Sequence, residues 1–577
     1  MKTSYYIILL LALCTTAYGR SHKADKLFER WEYSRAARLY EKEAVRHPDQ
    51  DVHFKLGECY RQMNRYSQAK DAYDKVNAAG PYSNSEFYLH YGQVLRSTGN
   101  NEEARVAFEK YGQLNPGDST AQFYIESMEI VQEDHKWDEP ITVSNVQAIN
   151  SETSDFAPVL YRDGIVFASS RKTPGHTLIY PWTGTNYLDL YYATKGSNGT
   201  DYTDVVPFGG KNINQKYHDG PATFSADGNT MYFSRVEKTL KGKDKKKYQV
   251  EQNKIYKSEL KDGDWSEVTA FAYNSNEYSV ANPVLSPDGS RLYFVSDMSG
   301  GYGETDIYYC DRNGEGWGSP VNMGPNVNTF NTEKFPSVDS AGNFYFASDG
   351  YQGFGGLDIC VALNKDGKLQ KAKPLKAPFN SSTDDLGIVF LEDGRTGYFS
   401  SNRVSGSTGD DDIYYFNLNH DDVDTNLVTS IYTIGYRPPM QPIASIVPTP
   451  RDSVMDITPA MVKAFYGSIY FDYNKSDLRS SAKDSLSRVA TYMKENPGRR
   501  LILSGHCDIR GTDEYNMQLS VRRNDAAIRY LGALGIPKSR ISATGYGFRK
   551  LVNHCDKGVE CPEEEHQKNR RVEFRFE

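Results

Sequence analysis

After its N-terminal stretch the 577-residue chain has no apolar run approaching the roughly 18 residues that a membrane-spanning helix requires. Its β-rich middle is too polar and irregular for a membrane barrel. Positive charge is not in excess: the net charge is -8 and the pI about 5.9, which leaves no basic face for a polyanionic backbone and excludes nucleic acid as an expected partner. Cysteine is sparse. Of seven residues, Cys59, Cys310, Cys360 and Cys507 are widely scattered and read as small buried apolar side chains, and no Cys/His spacing resembles a zinc site. The acidic loops Asp410-Asp411-Asp412 and Asp384-Asp385 lack the fixed spacing of a calcium loop, so neither metal nor cofactor is expected. No Gly-x-Ser-x-Gly turn is found, and the chain is read as non-catalytic.

What is abundant is tyrosine, at 43 residues, which suits exposed β-surfaces and broad recognition faces. The length calls for three or more domains. Met1-Lys2-Thr3, the apolar run from Ile7 to Leu13, and small residues before Arg20 read as a secretory signal over residues 1–19. Cys14 supports a rival reading as a lipidation site, although Leu13 before it fits that poorly.

Residues 21–135 carry a helical pattern that repeats. Leu56-Gly57, Tyr60, Ala69 and Tyr73 recur as Tyr91-Gly92, Leu95, Ala104 and Phe108 at a shift of about 35 residues, and Ala36 and Tyr40 lie about 33 earlier. Small residues fall where helices must approach closely and aromatics fill the space between neighbouring pairs. The pattern resembles tetratricopeptide repeats, with a capping helix from Thr120 to Val131. Such an array either holds a partner on its curved face or serves to space the next domain.

Residues 137–419 change to short strands. Asp163-Gly164, Asp227-Gly228, Asp288-Gly289, Ala341-Gly342 and Asp393-Gly394 each sit in a turn between two strands, and a further strand follows at Leu190, Ile255, Ile307, Ile359 and Ile413. Spacings of about 52 to 65 residues predict one four-stranded blade per repeat. The expectation is an all-β propeller with five blades, or six if a divergent unit lies in the first long interval, similar to the TolB type. Trp265 and Trp317 are expected to begin outermost strands, and Trp137 to Val143 to complete the fifth blade, which closes the ring and leaves no open edge. Lys238 to Lys247 reads as a hairpin extension, the alternative being an anionic docking site. Proline-rich residues 420–459 read as a linker.

Residues 460–577 alternate strands and helices. Asp508 lies on a loop before a helix from about Asp513 to Leu534, and Asn516, Leu519, Ser520 and Arg523 share one face of that helix. A carboxylate and a guanidinium so spaced can converge on a zwitterion; the plainer reading is an ion pair tying loop to helix. Cys555 and Cys561 bracket a short loop and are able to close on each other.

Phe471-Asp472-Tyr473-Asn474-Lys475-Ser476-Asp477-Leu478, Gly505-His506-Cys507-Asp508-Ile509-Arg510-Gly511 through Asn516, and Asn569-Arg570-Arg571-Val572-Glu573 together resemble the OmpA-like peptidoglycan-binding domain, in its peptidoglycan-associated lipoprotein form. The resemblance covers roughly the last 115 residues and implies an α/β fold. It implies that Asp508 and Arg523 bind diaminopimelate, that Tyr473, Asn474 and Leu519 add contacts, and that Cys555 and Cys561 form a disulfide. Cys507 stands where that family has a small residue and Asn524 where it has alanine. The expected function is a periplasmic link between peptidoglycan and outer-membrane or periplasmic proteins, which the repeat surfaces would engage. The layout is similar to that of a component of the type IX secretion apparatus, which makes an accessory secretion role one alternative; a scaffold with a degenerate wall-binding site is the other.

Overall fold

The computed structural model describes residues 23–116, 118, 120–133, 141–196, 200–241, 248–298, 301–418, 468–495, 499–555, 559 and 561–576. The expected signal segment with Cys14, Trp137, and the linker over residues 420–459 lie outside the described residues.

Among the described residues, a short helix over 23–28 and six longer ones, Tyr33–Arg46, Gln50–Gln62, Tyr66–Ala78, Ser85–Ser97, Asn101–Leu114 and Thr120–Glu133, form the N-terminal array. Side-chain caps start two of them, with Asp49 accepting from the Val52 amide and Asn84 from the Glu86 amide. The repeating glycines have a steric cause. A Cβ on Gly57 would lie 2.3 Å from the Tyr73 ring, and one on Gly92 2.6 Å from the Phe108 ring. Each aromatic therefore lies directly against the backbone of the preceding helix, and both rings are fully buried.

Besides a two-stranded hairpin, Asn364–Lys365 with Lys368–Leu369, the middle of the chain builds, among the described residues, five antiparallel sheets of four or five strands. Each begins with an inner strand (Asp155–Tyr161, Asp219–Phe224, Val280–Leu285, Glu333–Val338, Asp385–Phe390), and successive inner strands pack against one another, the last against the first. In the last sheet the outer position is filled by Thr142–Asn145, antiparallel to Asp412–Asn417. The N-terminal end of this region thus closes the ring. An asparagine clamp recurs in every unit. Asn214, Asn274, Asn328, Asn380 and Asn150 each donate to the carbonyl and accept from the amide of one residue in the third strand, at Leu190, Ile255, Ile307, Ile359 and Ile413 respectively. The amide side chain suits this role because it carries one acceptor and two donors.

The tryptophan expectation needs correction. Trp265 pairs with Leu260 in a small hairpin at the tip of the third strand, and Trp317 pairs likewise with Arg312, whereas the outer strands are Thr269–Ala270 and Val321–Asn322. Trp265 is used to fill the space between sheets against Tyr161, Phe208 and Phe224. The hairpin extension is present as the long pair Thr230–Lys241 and Tyr248–Lys261; residues 242–247 lie outside the described set.

The array lies against the ring of sheets. Arg96 donates to the carbonyls of Phe354 (2.9 Å), Gly353 (3.1 Å) and Gly355 (2.7 Å), and the Trp182 indole donates to the Gln62 carbonyl at 2.6 Å.

The C-terminal unit is a four-stranded sheet in the order Ser468–Tyr470, Arg571–Phe576, Leu501–Gly505, Ile541–Gly545. Strand Leu501–Gly505 runs parallel to Ile541–Gly545, and helix Asp513–Ala533 crosses between them. With helix Ser480–Glu495 it covers a core that includes Phe471, Leu486, Val489, Leu503, Leu531 and Val572. A short helix, Glu563–Asn569, precedes the last strand and was not anticipated.

Candidate functional site

The candidate residues of the C-terminal unit collect at one end of its sheet. Gly505 ends a central strand where a Cβ would lie 2.2 Å from the Ser520 carbonyl, so the long helix passes close over the strand end. The loop that follows carries Asp508, and Thr512 caps the helix by accepting from the Tyr515 amide at 3.2 Å.

Asp508 is buried, yet ionised. Burial pushes its pKa up, but hydrogen bonds from Arg510 and Arg570 outweigh this and hold it below the usual carboxylate range. Its Oδ2 accepts from Arg510 Nη2 at 2.6 Å and Arg570 Nη1 at 2.9 Å, and its Oδ1 from the Arg510 amide at 3.2 Å. Glu563 completes a chain of alternating charge, accepting from Arg510 Nη1 at 2.8 Å and Arg570 Nη2 at 2.7 Å.

Arg523 is fully buried, and burial lowers its pKa to about 10. It donates from Nε to the Lys475 carbonyl (2.9 Å), from Nη1 to the His506 carbonyl (2.8 Å) and Cys507 Sγ (3.4 Å), and from Nη2 to the Asp472 carbonyl (3.1 Å). It therefore joins the loop after the first strand to the loop that carries Asp508. One Nη2 hydrogen stays uncommitted among the described residues.

The expectation that Asp508 and Arg523 stand as one open acid–base couple needs refinement. They share Cys507 and the 505–511 loop as neighbours but do not bond to each other; Asp508 is met by Arg510 and Arg570, and Arg523 by main-chain carbonyls. The solvent side is formed by Tyr473, which is 56% exposed, with the Arg510 guanidinium 4.2 Å above its ring. Asn474 holds a left-handed backbone at φ 61° and accepts from the Tyr515 hydroxyl. Leu519 is buried beneath. Arg510, Arg570 and Glu563 were missed as functional residues; both arginines lie inside the recognised motifs, and that position was the available signal. Cys507 is buried and donates to the Asn516 carbonyl at 3.3 Å, and burial pushes its thiol up to about 11. Cys555 and Cys561 are joined as a disulfide with Cα atoms 5.8 Å apart.

This arrangement defines an OmpA-like domain carried behind a tetratricopeptide array. Residues 470–564 match the model of the OmpA family, and residues 51–118 that of YpiA-like, C-terminal tetratricopeptide repeats. The chain is 36% identical over 107 residues to the peptidoglycan-associated lipoprotein of Legionella pneumophila, covering 18% of this chain and 58% of the relative. It is 38% identical over 88 residues to that of Agrobacterium fabrum, covering 15% and 50%. The chain thus spans about half the length of the curated relatives it matches. Among solved structures, the peptidoglycan-associated lipoprotein from Burkholderia pseudomallei is 30% identical, with 19% of this chain and 89% of that chain covered and a TM-score of 0.18. Among the described residues no helix is long and apolar enough to cross a membrane.

Proposed function

We propose that this protein is a non-catalytic envelope component whose C-terminal domain holds peptidoglycan while its repeat domains engage outer-membrane or periplasmic proteins. Asp508 receives the ammonium of a diaminopimelate side chain, Arg523 its carboxylate, and Tyr473, Asn474 and Leu519 shape the mouth. The observation that carries this reading is the ionised, buried Asp508 beneath the partly exposed Arg510, beside an Arg523 with one donor to spare. Arg510 is about one-third exposed, so an incoming ammonium can replace it at Asp508 Oδ2 while it keeps Glu563 as partner. The relatives' naming as peptidoglycan-associated lipoproteins supports the same ligand.

The test is co-sedimentation of the purified full chain with diaminopimelate-containing sacculi. Asp508→Asn and Arg523→Lys are each expected to weaken binding by on the order of 30-fold or more, the loss when one partner of a buried charge pair is removed. Arg510→Ala is expected to retain or strengthen it. Undiminished binding by Asp508→Asn would sink the assignment and favour a scaffold with a degenerate site; released muropeptides would contradict the non-catalytic reading.

A further inference from the structure

Where the helical array faces the ring of sheets, the two surfaces enclose a cavity of about 520 Å³ that adjoins a second of about 230 Å³. Gln62, Asn64, Trp182 and Asp411 line both, so the two form one crevice along the seam. Its walls pair aromatic surface with unmet polar chemistry. Phe156 and Phe335, from two inner strands, meet edge to face at 5.9 Å on the propeller side, and Tyr66 and Tyr124 stand opposite on the array.

Three carboxylates gather where the cavities meet: Asp384, Asp410 and Asp411. None of them is in an ion pair among the described residues. Asp384 accepts from the Leu357 amide at 2.9 Å, Asn64 Nδ2 at 3.3 Å and Asn402 Nδ2 at 3.4 Å, Asp411 accepts from Ser154, and Asp410, which is exposed, makes no hydrogen bond among the described residues. Burial raises the pKa values of Asp384 and Asp411, and that of Asp411 reaches about 7 with the neighbouring carboxylates adding to the rise. The cations of the wall have other partners or reach the carboxylates only through their charge, Arg65 acting so on Asp410 and Lys334 on Asp384. Arg61 pairs with Glu58 at 2.9 Å, Arg65 donates to the Thr183 carbonyl, and Lys334 lies toward Asp349 and Asp384.

Arg96 supplies a second, independent sign. It lines the larger cavity, is 5% exposed, and its Nη1 is buried with no hydrogen-bond partner among the described residues. A buried guanidinium donor without an acceptor is costly, so an acceptor belongs beside it.

We propose that this crevice is a docking site for an extended segment of a partner protein that places a lysine or arginine side chain against Asp384, Asp410 and Asp411 and a main-chain carbonyl on Arg96. The carboxylates call for a cation, the unpaired Arg96 Nη1, whose guanidinium lies 5.3 Å over the Tyr124 ring, for a carbonyl, and a peptide provides both on one chain; a free polyamine provides only the first. The volume exceeds that of a single side chain, and the aromatic walls suit the flanking residues. This deepens the protein-binding half of the function proposed above and is independent of the wall-binding half.

The test uses the purified full chain and fluorescein-labelled, blocked octapeptides of glycine, serine and tyrosine with one central lysine, arginine, glutamine or glutamate, read by fluorescence anisotropy. Lysine or arginine peptides are expected to bind about 10-fold or more tighter than the glutamine peptide, and Asp411→Asn and Asp410→Asn to remove most of that preference. Asp410 is on the surface, so its variant keeps the fold. Binding of no peptide, equal binding of lysine and glutamine peptides, or spermidine binding as tightly as the lysine peptide would each overturn the proposal. Asp508→Asn is expected to leave peptide binding intact and the crevice variants to leave sacculus binding intact, so failure of one reading is distinguishable from failure of the other.

Discussion

Arg570 reaches Asp508 from the end of the short helix before the last strand, Nη1 to Oδ2 at 2.9 Å, with the two side chains only 3% and 4% exposed. Arg510 bonds the same oxygen at 2.6 Å but is 32% exposed. Two arginines on one carboxylate oxygen thus differ in what their loss does. Arg570→Met is expected to destabilise the C-terminal domain by ~3 kcal/mol, because it removes the partner of a buried charge. Arg510→Met is expected to cost less than about 1 kcal/mol, because Arg510 itself reaches solvent and Arg570 still meets Asp508. Urea unfolding of the two variants at pH 7 measures the difference; equal losses would contradict the ranking.

His506 gives the domain a pH dependence. Burial, reinforced by the Arg571 charge, lowers its pKa to about 4, and both ring nitrogens lack hydrogen-bond partners among the described residues. Unfolded histidine titrates near pH ~6.5, so between about 6.5 and about 4 the unfolded chain binds the extra proton and stability falls as pH falls. Asp508 adds a second loss below about pH 4, because its depressed pKa stabilises the fold only while it is ionised. His506→Phe keeps the stack on Tyr546, and the slope between pH 6.5 and 4 is expected to flatten while stability at pH 7 is retained. The urea midpoint followed across that range checks this.

Glycine substitutions separate space from propensity. Gly92→Ala pushes a methyl into the Phe108 ring and is expected to destabilise the array by ~1–3 kcal/mol despite alanine's better helix propensity. Gly532→Ala, with nothing within 4 Å of its added Cβ, is expected to stabilise by ~0.5–1 kcal/mol. In the background of Phe108→Leu the cost of Gly92→Ala should shrink, and thermal unfolding of the double-mutant cycle measures the coupling.

Much of the architecture was legible because its signals are local. Gly57 with Tyr73 and Gly92 with Phe108 stand one helix apart, so close packing printed itself as a repeat. The Asp-Gly turns marked the hairpins because their left-handed glycines, such as Gly228 and Gly289, are set by a few adjacent residues. The asparagine clamps were overlooked for the opposite reason. Asn214 and Asn328 lie in loops where asparagine ordinarily means a turn, and their task, holding both polar groups of a strand residue, is visible only across the folded sheet. Trp265 and Trp317 do lie in strands, but in hairpins at the tips of the third strands rather than in the outer strands, and contacts between sheets, visible only in the fold, use Trp265 there.

In the candidate site, the motifs pointed to Asp508 and Arg523, and periodicity placed Arg523 with Leu519 on one helix face. That Asp508 is held by Arg570 follows from an antiparallel pairing that brings the last strand beside Leu501–Gly505. Residues 62 positions apart meet there, and no local rule encodes it. The crevice goes further still: Arg96 meets Gly355 across 259 positions once array and ring lie face to face. Helices, hairpins and caps are governed by neighbours along the chain, so composition and spacing determine them. Which charge satisfies which, and what cavity is left between domains, depends on burial and on distances that exist only after the chain has folded.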